Sequence, residues 1–382
     1  MPRTRSILPL AAGHACVDVY QGAVAALIPY FVAERAYTYA AASGVVLAAS
    51  LLSSVVQPLF GALTDRWSLP WLLPVSTVLG GLGIAGSAVG GSYPMTLFFV
   101  AVSGIGVAAY HPESARIARI VSAGRHTAMG WFSLGGNIGF AVAPLLVAAV
   151  MATGGLRSAP LLVVPALVGA VLCLPVLRAL GTPDGSNPDR AFGGTDDPAS
   201  FLRLSLAVVF RSVVFLGLGA FLALYVPQRT PGGALAGTVA LFVLYLGGAV
   251  GTVLGGALAN RWGRVRVVRR AYLMTVLAVA GVVLVPGPAV YAFVAAASIG
   301  LYVPFSLQVT LGQDYLPTRV GTASGVTLGL SVSVGGVASP LIGAVADATS
   351  LRTALAPLIV LPALSWLAIR TLPEPAAPGP AG

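Results

Sequence analysis

Breaking this sequence at its charged residues and Gly/Pro-rich turns leaves twelve apolar runs. They fall at roughly 7–32, 39–63, 69–90, 94–118, 126–152, 158–179, 203–227, 235–259, 266–286, 289–311, 320–346 and 352–370. About 20 apolar residues in a helix cross the hydrocarbon core of a bilayer. Inside lipid only helices and closed barrels satisfy their own backbone. The runs therefore predict an all-α integral membrane protein of twelve transmembrane helices. Composition agrees: of 382 residues, 57% are hydrophobic and 8% charged. So few polar side chains cannot cover a water-soluble globule. The longest polar interruption, GTPDGSNPDRAFGGTDDPAS at 181–200, splits the runs six and six. The expected domains are a bundle over 1–180, a linker over 181–202, a bundle over 203–372 and a disordered Pro/Ala/Gly tail over 373–382.

The net charge of +10 comes with 21 basic residues, all of them arginine. They sit in short loops between apolar runs and not in basic patches interleaved with aromatics, which argues against nucleic acid. With the N-terminus inside, sixteen arginines fall on that side and only Arg35, Arg157, Arg229 and Arg352 on the other. The positive-inside rule then predicts both termini and the linker in the cytoplasm, with the chain in the inner (plasma) membrane. PRTR before the first apolar run resembles a signal peptide. That run lasts about 25 residues, carries His14 and Asp18 and lacks a convincing cleavage site, so it reads as a retained span. Cys16 and Cys173 lie in apolar runs, so no disulfide framework is expected. With three histidines and two cysteines scattered over different runs, there is little material for a metal site, a catalytic triad or any other cofactor.

The two halves repeat. GALTDRW follows the second run at 61–67, and GALANRWGR follows the eighth at 256–264. Gly61, Ala62, Leu63, Arg66 and Trp67 recur 195 residues later as Gly256, Ala257, Leu258, Arg261 and Trp262, while Asp65 becomes Asn260. A parallel repeat of two six-span halves is the architecture of one large transporter class.

On these residues the sequence resembles the major facilitator superfamily, whose signature in the loops after spans two and eight is Gly-x-x-x-Asp/Asn-Arg-x-Gly-Arg. The copy from Gly256 to Arg264 is nearly complete, whereas the first has Ser68 and Leu69 in place of Gly-Arg. Gly130, Gly139 and Pro144 match the spacing of the fifth-span motif of proton-coupled exporters, with Ala143 in place of a glycine. More narrowly, HACVDVYQ (14–21), VVQPLFGALTDR (55–66), YHPESARIAR (110–119), GRHTAMGWFSLGGNIG (124–139) and LGQDYLPTRVGTASGVTLGLSVSVGG (311–336) are similar to the fosmidomycin-resistance group of exporters. Val17 stands where that group carries asparagine.

The resemblance implies the major facilitator fold, two pseudo-symmetric six-helix bundles with spans 1, 4, 7 and 10 lining a central cavity. Polar residues concentrate on those spans: His14, Asp18 and Gln21, then His111, Glu113 and Arg116, then Arg211, then Gln308. A charge at mid-membrane costs at least ~2.5–3.5 kcal/mol and normally faces a cavity or a partner. His14 and Asp18 are four apart and so share a helix face. Asp18 lies about 16 Å in from the cytoplasmic end at 1.5 Å per residue. It reads as a proton carrier tuned by His14, or else as a structural hydrogen bond fixing the first span. Pro112 is expected to bend span four, leave the Ala108 carbonyl without its helical partner and turn His111 and Glu113 toward the cavity. Glu113 and Arg116 then form either a charge relay or a permanent pair at the membrane edge.

Proton coupling is thus expected of Asp18, Glu113, His14 and His111. Substrate contacts are expected of Gln21, Arg116, Arg211, Gln308 and Tyr20, with the fork of Arg211 suited to a phosphonate or carboxylate. The resemblance implies a gate at Gly61, Asp65 and Arg66 and a weaker one at Gly256, Asn260, Arg261 and Asp314. Clustered glycines, among them Gly104, Gly106, Gly135, Gly136, Gly139, Gly325, Gly329, Gly335 and Gly336, suit close or sliding helix contacts. The leading function is a proton-coupled exporter of small amphipathic or anionic compounds, acting as a monomer by rocker-switch alternating access. A proton-coupled importer on the same fold is the alternative. A membrane sensor or enzyme is remote, because no catalytic constellation is visible.

Overall fold

The computed structural model describes residues 7–122, 126–180 and 195–375 and is all-helical. The first six spans are α1 (Ile7–Arg35), α2 (Tyr39–Arg66), α3 (Leu72–Val89), α4 (Tyr93–Ser122), α5 (His126–Met151), and a 3₁₀ stretch Gly155–Val163 leading into α6 (Val164–Leu180). The next five are α7 (Pro198–Tyr225), α8 (Gly233–Trp262), α9 (Arg264–Leu284), α10 (Val290–Tyr315) and α11 (Val320–Ala348). The last combines α12 (Leu351–Leu355), a 3₁₀ turn and α13 (Leu361–Ile369). Twelve helical segments among the described residues are long and apolar enough to cross a membrane. The chain is a multi-pass membrane protein.

Helix ends agree with the apolar runs to within a few residues, with one instructive exception. α7 begins at Pro198, inside the expected linker, because Asp197 supplies an N-cap. Its Oδ1 accepts the Ser200 N–H at 3.0 Å and its carbonyl accepts the Phe201 N–H at 3.1 Å. Acids recur at helix starts, where amides lack helical partners and the dipole favours negative charge. The two oxygens of Asp347 accept the Tyr39 and Ala40 N–H groups that open α2, at 2.8 and 2.9 Å. Glu374 accepts Arg264 N–H and Val265 N–H, at 3.0 and 2.8 Å, where α9 begins. The first residues expected as loose tail are thus held, and Tyr315 also donates to the Pro373 carbonyl at 2.6 Å. Residues 376–382 lie outside the described residues.

Packing groups the described residues within 1–187, 218–246 and 336–354 into one compact unit, and those within 188–217, 247–335 and 355–382 into another. In the first unit, α1 lies along α5 because Gly135 and Gly139 leave their surfaces bare. A Cβ on either would strike the backbone carbonyls of Ala11 and Ala15. Gly83 likewise admits α4 to α3, a Cβ there coming 2.6 Å from the Phe99 carbonyl oxygen. Gly325 and Gly329 have open space around them, so close packing does not explain those two. In the second unit Leu204, Val268, Tyr272, Leu307, Leu311 and Ile369 belong to one core. Large apolar side chains such as Leu59, Val253, Leu277 and Leu341 point outward, as a lipid-facing surface requires. An apolar cavity of about 180 Å³ in the first unit is lined by Pro29, Tyr30, Pro144, Thr238 and Leu241 among others. It lacks the charged groups described next.

Candidate functional site

The main cluster forms where α1 meets α4. His14 Nε2 lies 3.3 Å from Asp18 Oδ2, and His111 Nε2 lies 3.2 Å from Asp18 Oδ1. The first distance follows from i, i+4 spacing on α1. The second is tertiary, and it overturns the expectation that the histidines are too scattered to cluster: positions 97 residues apart converge because the two helices pack together. Pro112 sits within an unbroken α4, and the adjacent imidazole of His111 faces Asp18.

Both imidazoles are oriented from behind. His14 Nδ1 lies 2.9 Å from the Phe132 carbonyl oxygen and His111 Nδ1 lies 2.7 Å from that of Val107. A carbonyl oxygen only accepts, so each Nδ1 carries the hydrogen and each neutral ring directs a lone pair at Nε2 toward the carboxylate. The His14 ring is further clamped by stacking on Phe132, with centroids 4.2 Å apart. His14 is 7% exposed and Asp18 8%. Neither His14 Nε2 nor Asp18 Oδ1 has a hydrogen-bond partner. Gly136 on α5 completes the cradle: a Cβ there would come 2.9 Å from His14 Nε2 and also strike Asp18 Oδ2. Two imidazole nitrogens and a carboxylate therefore converge in an enclosure too tight for one more methyl group. Only something positively charged, a proton or a cation, relieves such an arrangement.

One turn further along α4, Arg116 closes on Glu113. Its Nε donates to Glu113 Oε2 at 2.8 Å, a second bond joins the other carboxylate oxygen, and the guanidinium also donates to Ser68 Oγ at 2.6 Å. Glu113 is fully buried, whereas the Arg116 side chain is one-quarter exposed. These two belong to a closed ion pair with no direct contact to Asp18 among the described interactions.

In the second unit Arg211 is buried on α7. It donates to Ser331 Oγ at 2.9 Å and to the Leu301 carbonyl at 3.4 Å, and it lies over the Phe305 ring at 5.2 Å. Its Nε has no partner, and among the described residues no carboxylate pairs with it. Gln308 donates to the Tyr272 hydroxyl at 2.7 Å and keeps Oε1 without a partner.

Other expected residues land elsewhere. The Tyr20 hydroxyl donates to the Leu162 carbonyl at 3.0 Å and its ring is fully buried. Two residues beyond Asp18 is about 200° around the helix, so Tyr20 packs against neighbouring helices and leaves the expected set of substrate contacts. Gln21 is half-buried. Gly61 and Gly256 have nothing within 4 Å of a built Cβ, Asn260 is exposed, and Arg261 lies over Trp262 at 5.8 Å. The side chains of Asp65 and Arg66 lie outside the described residues. Asp314 is engaged, 2.6 Å from Arg264, which also reaches Glu374 at 3.4 Å. Arg264, the last residue of the second motif, stands with Glu374 and Asp347 outside the expected set of site residues. A lone acid in an apolar run or beside a helix start was the available signal.

Comparison with known proteins fits this geometry. A profile of the Major Facilitator Superfamily matches residues 10–340. The chain is 28% identical over 372 residues to the fosmidomycin resistance protein of Escherichia coli (strain K12), covering 94% of this chain and 91% of the relative. It is 29% identical over 369 residues to the uncharacterized MFS-type transporter YfnC of Bacillus subtilis (strain 168), covering 93% and 90%. Among solved structures, a bacterial homolog of the human lysosomal transporter Spinster, inward-facing and occupied, superposes with a TM-score of 0.81 at 18% identity over 99% of both chains.

Proposed function

Because the chain belongs to the Major Facilitator Superfamily of membrane transporters, we propose that it exports small amphipathic or anionic compounds in exchange for protons. It would reside in the inner membrane with both termini cytoplasmic and work by alternating access. The observation that carries this reading is the buried carboxylate of Asp18 between two imidazole lone pairs. A proton arriving at Nε2 or at the carboxylate turns one acceptor into a donor and satisfies the cluster. Its departure restores three facing acceptors. The site therefore favours a cation when occupied and is costly when bare, the property a coupling ion needs if its release is to accompany a change of state.

The cargo side of the reading rests on Arg211. A guanidinium buried without a carboxylate is an incomplete ion pair. An anionic group on a substrate would complete it through a planar, two-point contact. Similarity to a protein named for fosmidomycin resistance supports export of an inhibitory small molecule. Glu113 and Arg116 enter this reading as a structural pair.

The test uses purified protein in liposomes with an imposed pH gradient, with cargo chosen by growth-inhibition panels in a pump-deficient host. Asp18→Asn should abolish gradient-driven accumulation while substrate counterflow persists. Unchanged accumulation would remove Asp18 from coupling. Cargo moving in the same direction as the proton would identify an importer.

A further inference from the structure

The cluster of His14, Asp18 and His111 has the composition and spacing of a metal-ligand set, and this point stands on geometry alone, apart from any proton chemistry. We propose that these three side chains bind one first-row divalent transition cation of the zinc class. Zinc binds imidazole nitrogen and carboxylate oxygen at about 2.0–2.2 Å, so tetrahedral ligands stand on the order of 3.3 Å apart. Here the two imidazole nitrogens stand 3.3 and 3.2 Å from opposite oxygens of the one carboxylate, so a single ion would draw the three groups together around it. All three ligand atoms lie within 4.8 Å of one another.

Two further observations point to a ligand and not to a chance meeting of polar groups. First, each imidazole has its far nitrogen fixed by a backbone carbonyl, Phe132 for His14 and Val107 for His111. Metal-binding histidines are held in this way, which fixes the tautomer and leaves Nε2 free to coordinate. Second, His14 Nε2 is buried without a hydrogen bond and faces the carboxylate, while glycine at 136 spares both groups a methyl that would strike them. Two imidazoles and one carboxylate suit zinc, cobalt or nickel, whereas calcium and magnesium prefer all-oxygen sets. Three protein ligands leave a fourth position for water or for an oxygen donor on a bound solute.

The experiment takes the full-length protein in detergent, stripped with chelator, without substrate or gradient. Zinc is titrated by calorimetry, and cobalt serves as the spectroscopic probe. One saturable equivalent per chain is expected, with visible cobalt bands of a four- or five-coordinate site and X-ray absorption showing two imidazoles and an oxygen ligand. His111→Asn and Asp18→Asn should each weaken binding on the order of 100-fold or more, beyond the 10–100-fold that loss of an outer-shell partner causes. Asp196→Asn, which removes a linker carboxylate, should leave binding unchanged. Absence of a saturable equivalent in monodisperse protein overturns the proposal, as does a cobalt spectrum lacking nitrogen ligands. So does binding that survives both ligand substitutions. If those variants do not fold, the wild-type spectrum alone decides. A protein that couples protons without binding zinc refutes only this inference, whereas one that binds zinc and ignores the gradient refutes only the preceding proposal.

Discussion

Asp18 in the first compact unit and Arg211 in the second are both buried charges on membrane-spanning helices, yet their surroundings are opposite in kind. Around Asp18 stand two imidazole nitrogens at 3.2 and 3.3 Å, which carry charge only when protonated. Around Arg211 stand a hydroxyl, a backbone carbonyl and an aromatic face, with no acid among the described residues. One environment lacks positive charge and the other lacks negative charge. Glu113 and Arg116 show what this chain does when it intends an ion pair to be complete: two hydrogen bonds, opposite charges, and a third bond from the guanidinium to a serine. The contrast separates two incomplete charge environments from one complete ion pair.

The largest effect should come from opening the complete pair. Arg116→Gln strands Glu113 in the interior, and breaking a buried pair costs roughly 3–5 kcal/mol, towards the lower end here because Arg116 is partly exposed. The melting temperature in detergent should drop sharply, and Glu113→Gln added to it should restore most of the loss. If the single variant melts like the wild type, the pair is not the closed unit described here. Next, Arg211→Gln removes a charge-assisted contact worth about 1.5–3 kcal/mol. Anionic substrates should bind about 10- to 100-fold more weakly, with neutral ones little changed. Equal losses for both classes would erase the distinction between the two sites. Third, Gly136→Ala places a methyl group against His14 and Asp18. Overpacking costs typically ~1–3 kcal/mol, so melting should fall and coupling with it, whereas Gly130→Ala, with open space around it, should do neither.

The smallest effect lies outside the membrane. Hydrogen bonds from the Thr318 hydroxyl and amide, followed by the charge of Arg319, hold the Asp196 carboxyl below the usual range. A lowered folded-state pKa contributes stability above the unfolded value, near 3.9, and loses it as pH falls through the lower folded value. Wild type and Asp196→Asn should therefore differ slightly at neutral pH and converge in strong acid. A difference that grows with acidity would reverse the sign.

The spans were readable because lipid imposes a blunt rule on hydropathy and length. His14 with Asp18 was readable because helical spacing is local. The arrival of His111 at the same carboxylate was not, since it depends on how α1 and α4 pack, which no local spacing announces. Tyr20 failed for a related reason: its helix was right, and its face was set by neighbours the sequence does not order. Glu374 was hidden inside a stretch whose proline, alanine and glycine content suggests only disorder. Asp347 lies 307 positions from Ala40, and only the packing brings it to the start of α2.

Glu374 has a practical corollary. Its carboxylate reaches back 110 positions to hold the opening amides of α9 and to share Arg264 with Asp314. A truncation just upstream of it, or an affinity handle spliced at that point, would strip two amides of their acceptor and loosen a cation that the second signature motif contributes. Trimming the C-terminus for crystallisation should therefore stop beyond Pro375.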